Sequence, residues 1–504
     1  MWAPRGKLIG PKYVGALCCL LAVAASAQPQ ADREEKAKRA RELVLAGKTA
    51  EAIPIYAELA RSAPGDPSSL LNLAIAEFKS KRFQDSAEHA QAALRLEPAS
   101  AAANLFLGAS YAELGEHSKA VGALEQAVAL GPNDRNALVL LAEELLALGR
   151  DRDAAERFLK ASELAPQNPK VWFGLGRSYE ALAEESVQRL KSTAADSAYC
   201  KALTGDMFLK QRRYGNAFPN YKQALAAAPG LHGVHAALAM LYERTGHPDW
   251  AQVEKQRERD LPPADCSTDR LACEYLAGGY RKILESSRAG GSAEAMYWSA
   301  KSAIELAREA YRHLEQLPPS REYYFHVAQD LDSEAEYRQA AEQWRHALKM
   351  APDDFDLQLG LVWSLYRSGN SGDALPVLAQ LLQARPKSKD VNFLYGATLL
   401  AMEQPEKAVA YLETAAHIDA DFLPARAALG QALLRAGRAA DAIPHLQASL
   451  GSDEDGSTHF QLFRAYQLTG QTELAQHAKA DYEQVRRSFE RAKRTAEAGG
   501  ITAP

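Results

Sequence analysis

The chain has 504 residues and a formal net charge of −5, which excludes a nucleic-acid binder working through bulk positive charge. At 47% hydrophobic and 24% charged residues it is globular rather than disordered. Aromatics are only 8%, Ala and Leu supply much of the apolar share and favour helix, and five cysteines are too few for a disulfide-framework fold.

The chain opens on a targeting pattern. Arg5, Lys7 and Lys12 precede an apolar run from Val14 to Ala25, too short to span a bilayer comfortably. Ala25-Ser26-Ala27 is a small-x-small site before Gln28, so residues 1–27 read as a signal peptide cleaved after Ala27, with a retained anchor as the alternative. Cys18 and Cys19 do not make a lipobox, because Leu17 stands where a small residue is needed. The leader holds three basic residues and no acid, so its removal takes the charge from −5 to −8. The expectation is a periplasmic or secreted protein with no integral membrane segment after cleavage.

From residue 33 onward one pattern recurs. Pro64, Pro98, Pro132 and Pro166 fall 34 residues apart. Ala52, Ser86, Ala120 and Ala154 keep that interval, always small, as do Leu73-Ala74, Leu107-Gly108, Leu141-Ala142 and Leu175-Gly176. Gly47, Gly115, Gly149, Gly369, Gly437 and Gly470 each stand five residues before a conserved-interval Ala, where a helix end needs positive φ. Each unit therefore reads as helix, glycine turn, helix and proline stop. A fixed 34-residue interval with Trp172, Leu175, Gly176 and Tyr179, then Ala154, Phe158, Ala161 and Pro166, resembles the tetratricopeptide repeat (TPR) family. The resemblance implies an all-α, right-handed superhelix, a solenoid of about thirteen helix-turn-helix repeats.

The repeats divide into an N-terminal array over 28–265 and a C-terminal array over 321–489. At 169–197 the first helix runs into the second without a glycine turn. The block 266–320 is weaker, and reads either as one or two degenerate repeats or as an inserted element dividing the solenoid. Residues 490–504 read as the end of a capping helix and a disordered tail; that long polar helix, from about Ala475 to Glu497, carries Lys479, Arg486, Arg487, Arg491, Lys493 and Arg494, which make either a solvent-compatible cap, interleaved with Asp481, Glu483 and Glu490, or a basic patch.

Enzyme signatures are missing: no H-E-x-x-H, G-x-S-x-G, Walker A loop, Rossmann glycines or C-x-x-C. No cofactor or metal is expected, since His232 and His235 have no neighbouring Cys or carboxylate cluster in sequence. Cys266 and Cys273, seven apart in an exported chain, are the disulfide candidate; pairing of Cys200 with either is the rival.

In TPR arrays the first helices line the concave surface where ligands lie. The resemblance places Phe78, Lys79, Phe173, Arg177, Tyr199, Phe325, Trp363, Tyr366, Arg367 and Phe393 there. Aromatic and Arg side chains are what interface hot spots favour, although any of these can instead pack between repeats. The Lys and Asn of the carboxylate-clamp subclass are replaced by Ala37 and Arg41, Leu71 and Ile75, then Leu105 and Ala109, so that mode is not expected. The expectation is a non-catalytic scaffold holding a protein or extended peptide, with an envelope assembly or export complex as its setting, and not nucleic acid. Two alternatives are polysaccharide binding and an enzyme site within 266–320.

Overall fold

The computed structural model describes residues 32–286, 291–497 and 501–504. The signal reading of residues 1–27 lies outside them. The described residues are helical with no strand, and they divide into two compact units, one up to Ser178 and one from Tyr179.

The first unit runs α1 (32–45), α2 (Thr49–Ser62), α3 (Pro67–Lys79), α4 (Phe83–Leu96), α5 (Ala101–Glu113), α6 (His117–Leu130), α7 (Arg135–Ala147) and α8 (Asp151–Leu164). These are four antiparallel hairpins at the 34-residue interval. The unit boundary falls within α9 (Pro169–Ala194), one continuous 26-residue helix over the segment that lacks a glycine turn.

The second unit continues with α10 (Ala198–Lys210), α11 (Tyr214–Ala227), α12 (Val234–Arg244) and α13 (Pro248–Asp260). Across the block 266–320 come two seven-residue helices, α14 (Arg270–Leu276) and α15 (Tyr280–Ser286), then the 23-residue α16 (Ala293–Glu315). Regular hairpins resume with α17 (Arg321–Ser333), α18 (Tyr337–Met350), α19 (Phe355–Arg367), α20 (Ser371–Ala384), α21 (Lys389–Ala401), α22 (Pro405–Ile418), α23 (Leu423–Arg435), α24 (Ala439–Ser449), α25 (Ser457–Leu468) and α26 (Thr472–Glu497).

The two helices of a hairpin start differently. Many first helices have side-chain N-caps: Asp66, Ser100, Asp134, Asp354 and Ser388 each accept a hydrogen bond from a backbone N–H of the opening turn, whereas α12, α23 and α25 have none. Second helices such as α4, α6, α8, α18 and α20 have no such cap. They follow a residue with positive φ instead. Gly47, Gly115, Gly149, Gly369, Gly437 and Gly470 have φ between 68 and 78°. Lys81, Arg212, Ala335 and Glu403 occupy the same turn slot at φ 58–62°, so the geometry is imposed even where the residue resists it.

Close approach is the second device. A Cβ added to Gly108, Gly205, Gly396 or Gly430 would stand 2.5–2.6 Å from Leu124, Tyr221, Leu412 or Leu446, sixteen residues on in the same hairpin. At Gly174 and Gly360 the contact runs backwards, to Phe158 and Trp344 of the preceding second helix. Ser86 fills a small slot and receives a buried 2.8 Å hydrogen bond from the Ser110 hydroxyl on the next first helix. From α17 onward one continuous apolar cluster extends from Ala328 to Ala478, and a second joins α9–α13 to α16.

Cys266 and Cys273 are disulfide-bonded with Cα atoms 5.6 Å apart, just ahead of and within α14, while Cys200 is a buried free thiol in α10. Residues 501–504, read from sequence as a disordered tail, are seated against the α9–α13 core through Ile501.

Ala335→Gly is expected to stabilise by about 1 kcal/mol by relieving an exposed left-handed residue. Gly149→Ala, where an added methyl touches nothing within 4 Å, is expected to lose a similar amount. Melting curves of the two variants should shift in opposite directions.

Candidate functional site

Successive first helices lie side by side within each unit: α3 with α5 and α5 with α7, α10 with α12, and α19 with α21, α23 and then α25. Side chains on their shared flank are thereby brought into rows. In the first unit Phe78 is half-buried and packs edge-on against Phe83 and against Phe106 of α5, at 5.5 and 5.7 Å between centroids. Lys79 beside it is exposed. On α9 the exposed Arg177 guanidinium lies 5.9 Å from the half-buried Phe173 ring, one turn away.

The fullest row is in the second unit. Trp363 of α19 and Phe393 of α21 are 5.9 Å apart, Tyr366 is 6.3 Å from Phe393, and Phe422, just before α23, is 5.2 Å from it. Arg367 is exposed above this row. Its guanidinium lies 5.8 Å from the Trp363 ring and 5.4 Å from the Tyr337 ring, and donates a 3.2 Å hydrogen bond to the Tyr337 hydroxyl. Trp363 and Tyr366 are half-buried, leaving part of each ring accessible. Burial raises the Tyr366 pKa, and the nearby Arg367 cation partly opposes this. Beneath α19, Asp332 accepts the Trp344 indole N–H at 2.9 Å and the Ser364 hydroxyl at 2.7 Å, tying α17, α18 and α19 together. Burial pushes that carboxyl above its ordinary range even though both hydrogen bonds favour its charge.

One of the groove residues is buried, and two others are half-buried against neighbouring rings. Phe393 is 6% exposed, because its slot is enclosed by the aromatic side chains of α19 and by Phe422; it supports the row and does not present a face. Phe325 packs edge-on against Trp344, 4.9 Å away on the second helix of its own hairpin, and so completes that hairpin's core. Tyr199 is half-buried and lies against Tyr297 at 5.3 Å, because α16 packs along α10.

The α16 contact carries a polar network that sequence reading missed. Lys301 Nζ pairs with Asp206 at 3.0 Å, and the buried Tyr221 hydroxyl donates to the same carboxylate at 2.8 Å. Burial disfavours the Lys301 cation, yet Asp206 and the surrounding phenols outweigh it and raise its pKa. The Tyr275 phenol, also facing this network, is pushed up to about 12 by burial. Farther along, the Tyr311 hydroxyl donates to Glu180 of α9 at 2.7 Å. Phe106, Tyr337 and Phe422 were missed as well. A search for aromatics at the ends of successive units would have flagged Phe422, whereas nothing in sequence pairs Asp206 with Lys301.

Among the described residues no cluster of three or more His, Cys, Asp or Glu could hold a metal ion, and no helix is long and apolar enough to cross a membrane. Family models described as tetratricopeptide repeat match residues 38–96, 71–135, 111–177 and 264–451. The chain is a tetratricopeptide repeat protein. As such it is a helical-repeat scaffold for protein interaction, and protein partners follow from the family. No curated protein sequence matches it. Among solved structures, MamA is similar at 20% identity over 38% of this chain and 94% of its own, with a TM-score of 0.27. A tetratricopeptide repeat protein from Parabacteroides merdae is similar at 13% identity over 66% and 98%, with a TM-score of 0.33. The APC/C hetero-tetramer Cut9-Hcn1 is similar at 14% identity over 91% and 94%, with a TM-score of 0.34.

Breaking the α10–α16 pair from one side should strand a charge. Asp206→Ala is expected to cost about 3 kcal/mol, while the Asp206→Leu/Lys301→Met double variant recovers most of it. Amide hydrogen exchange across α10 and α16 measures both.

Proposed function

We propose that this tetratricopeptide repeat protein acts by binding, without turnover, and that it holds an extended protein segment across α19, α21 and α23. The observation that carries this reading is the Trp363–Tyr366–Arg367 face, where accessible aromatic surface and an exposed guanidinium stand over a fully packed base at Phe393. Rigid aromatics lose little entropy on binding, and Arg beside them supplies directional donors. An apolar or aromatic anchor flanked by a carboxylate is the segment chemistry this face suits best. Phe173 with Arg177 repeats the same pairing of aromatic and cation in the first unit, and the exposed Lys79 follows Phe78 in sequence there.

The test begins with peptides selected by display on the full chain. Trp363→Ala/Arg367→Ala is expected to weaken them at least tenfold with the fold unchanged. Phe393→Ala is expected instead to cost about 3 kcal/mol of local stability. Retention of oligosaccharides in place of peptides, lost in the double variant, would move the reading to the glycan-binding alternative.

The site of action we propose is outside the cytoplasm, in the periplasm or the medium, in an envelope assembly or export complex. The leader pattern of residues 1–27 supports this, and so does the Cys266–Cys273 disulfide, since such bonds persist in oxidising compartments. Fractionation of cells followed by intact-mass measurement should find an exported chain beginning at Gln28 with those two thiols blocked. A cytoplasmic chain retaining residues 1–27 would overturn it.

A further inference from the structure

Residues 501–504 make a contact that the repeat architecture does not require. Ile501 packs half-buried against the apolar cluster of α9–α13 and α16, and the Tyr242 hydroxyl on α12 donates a 2.7 Å hydrogen bond to the Thr502 carbonyl, 260 residues away in sequence. The preceding helix, α26, lies against α11. Tyr242 itself is fully buried, with the Trp250 ring edge-on at 5.6 Å and Phe218 at 6.1 Å; His247 stacks on Trp250 at 4.1 Å.

Two features separate this contact from ordinary core packing. The phenol recognises a main-chain carbonyl, which any extended segment can offer. The seated piece is four non-helical residues, of which Thr502 and Ala503 are exposed, so it belongs to the part of a fold that opens most easily. A buried hydroxyl also needs a partner, so a vacated site favours a replacement with the same chemistry.

The geometry points to a peptide-docking site around Tyr242 that the chain fills in cis with its own segment 501–504. The segment acts as a releasable latch. A competing ligand needs extended backbone with a branched aliphatic side chain followed directly by a free carbonyl. While the latch is seated, the apparent affinity for such a segment falls by the fraction of time the site is open. This site is separate from the Trp363 face, and its existence does not depend on what that face binds.

The experiment compares the full chain with its Ile501→Asp variant, using a fluorescent peptide of residues 498–504 as probe. Anisotropy should show binding to Ile501→Asp at least tenfold tighter than to the unaltered chain. Tyr242→Phe in the Ile501→Asp background should weaken the peptide severalfold. Amide exchange in α11 and α12 should rise in Ile501→Asp and fall again when peptide is added. Circular dichroism confirms that the variants keep their helices. Equal binding to both chains, no binding to Ile501→Asp, or exchange in α12 indifferent to both substitution and peptide overturns the latch.

Discussion

The constraint on which this molecule depends is that no hairpin can bury its own apolar face. Two helices of 13 or 14 residues leave one side open, and only the next hairpin closes it. The closure works because a missing side chain meets a large one at a fixed offset. Gly108 against Leu124 and Gly205 against Tyr221 bring the two helices of a hairpin close, while Gly174 against Phe158 and Gly360 against Trp344 bring a first helix onto the preceding second helix. Large and small partners exchange places from repeat to repeat, but the sixteen-residue offset does not change. Overpacking at such a point would move whole helices, since neither backbone can retreat without opening the adjacent seam.

The interval also dictates which surface is free to act. Side-chain caps at Asp66, Ser100, Asp134, Asp354 and Ser388 start every one of these first helices at the same phase, and the positive-φ turn starts each second helix at its own. With both phases set, the residues after the Leu-small pair of one first helix meet their counterparts on the next. Trp363 and Phe393 are not equivalent positions, being thirty residues apart, but they come together because α19 and α21 lie side by side. The rows are a consequence of repeat geometry, and which row can bind is decided by the residues that happen to fill it.

That division explains what the sequence could and could not disclose. The interval, the turns and the close-approach slots are local and periodic, so they were legible: Gly149 announces its φ, and Leu107-Gly108 announces its contact. The aromatic row was partly legible, because Trp363, Tyr366 and Arg367 sit at slots that face a neighbour. Whether a slot is open is another matter. Phe393 is closed by Phe422 from beyond α22, and Tyr199 is partly covered by Tyr297 from a helix almost a hundred residues on. Burial of that kind depends on how an irregular segment returns to the array, and the block 266–320 has no period from which to read it.

The irregular segment also changes the energetics of the second unit. In a plain solenoid each repeat contacts only its neighbours, and stability is close to a sum of nearest-neighbour terms. Here α16 returns to α10 and α9 through Lys301–Asp206 and Tyr311–Glu180. It thereby sets the start of α17 so that Arg212, in the α10–α11 turn, reaches Glu334 at 2.7 Å and Glu336 at 2.8 Å, with Lys210 at 3.3 Å from Asp330. Those surface pairs are individually worth a few tenths of a kcal/mol. The half-buried Lys301–Asp206 pair, with the buried Tyr221 hydroxyl on the same carboxylate, is the better-shielded contact between these segments. The α17–α18 turn thus touches the end of α10 directly, more than a hundred residues earlier in sequence. The Trp363 face is mounted on α19, which packs on α18, the second helix of the hairpin that follows α16.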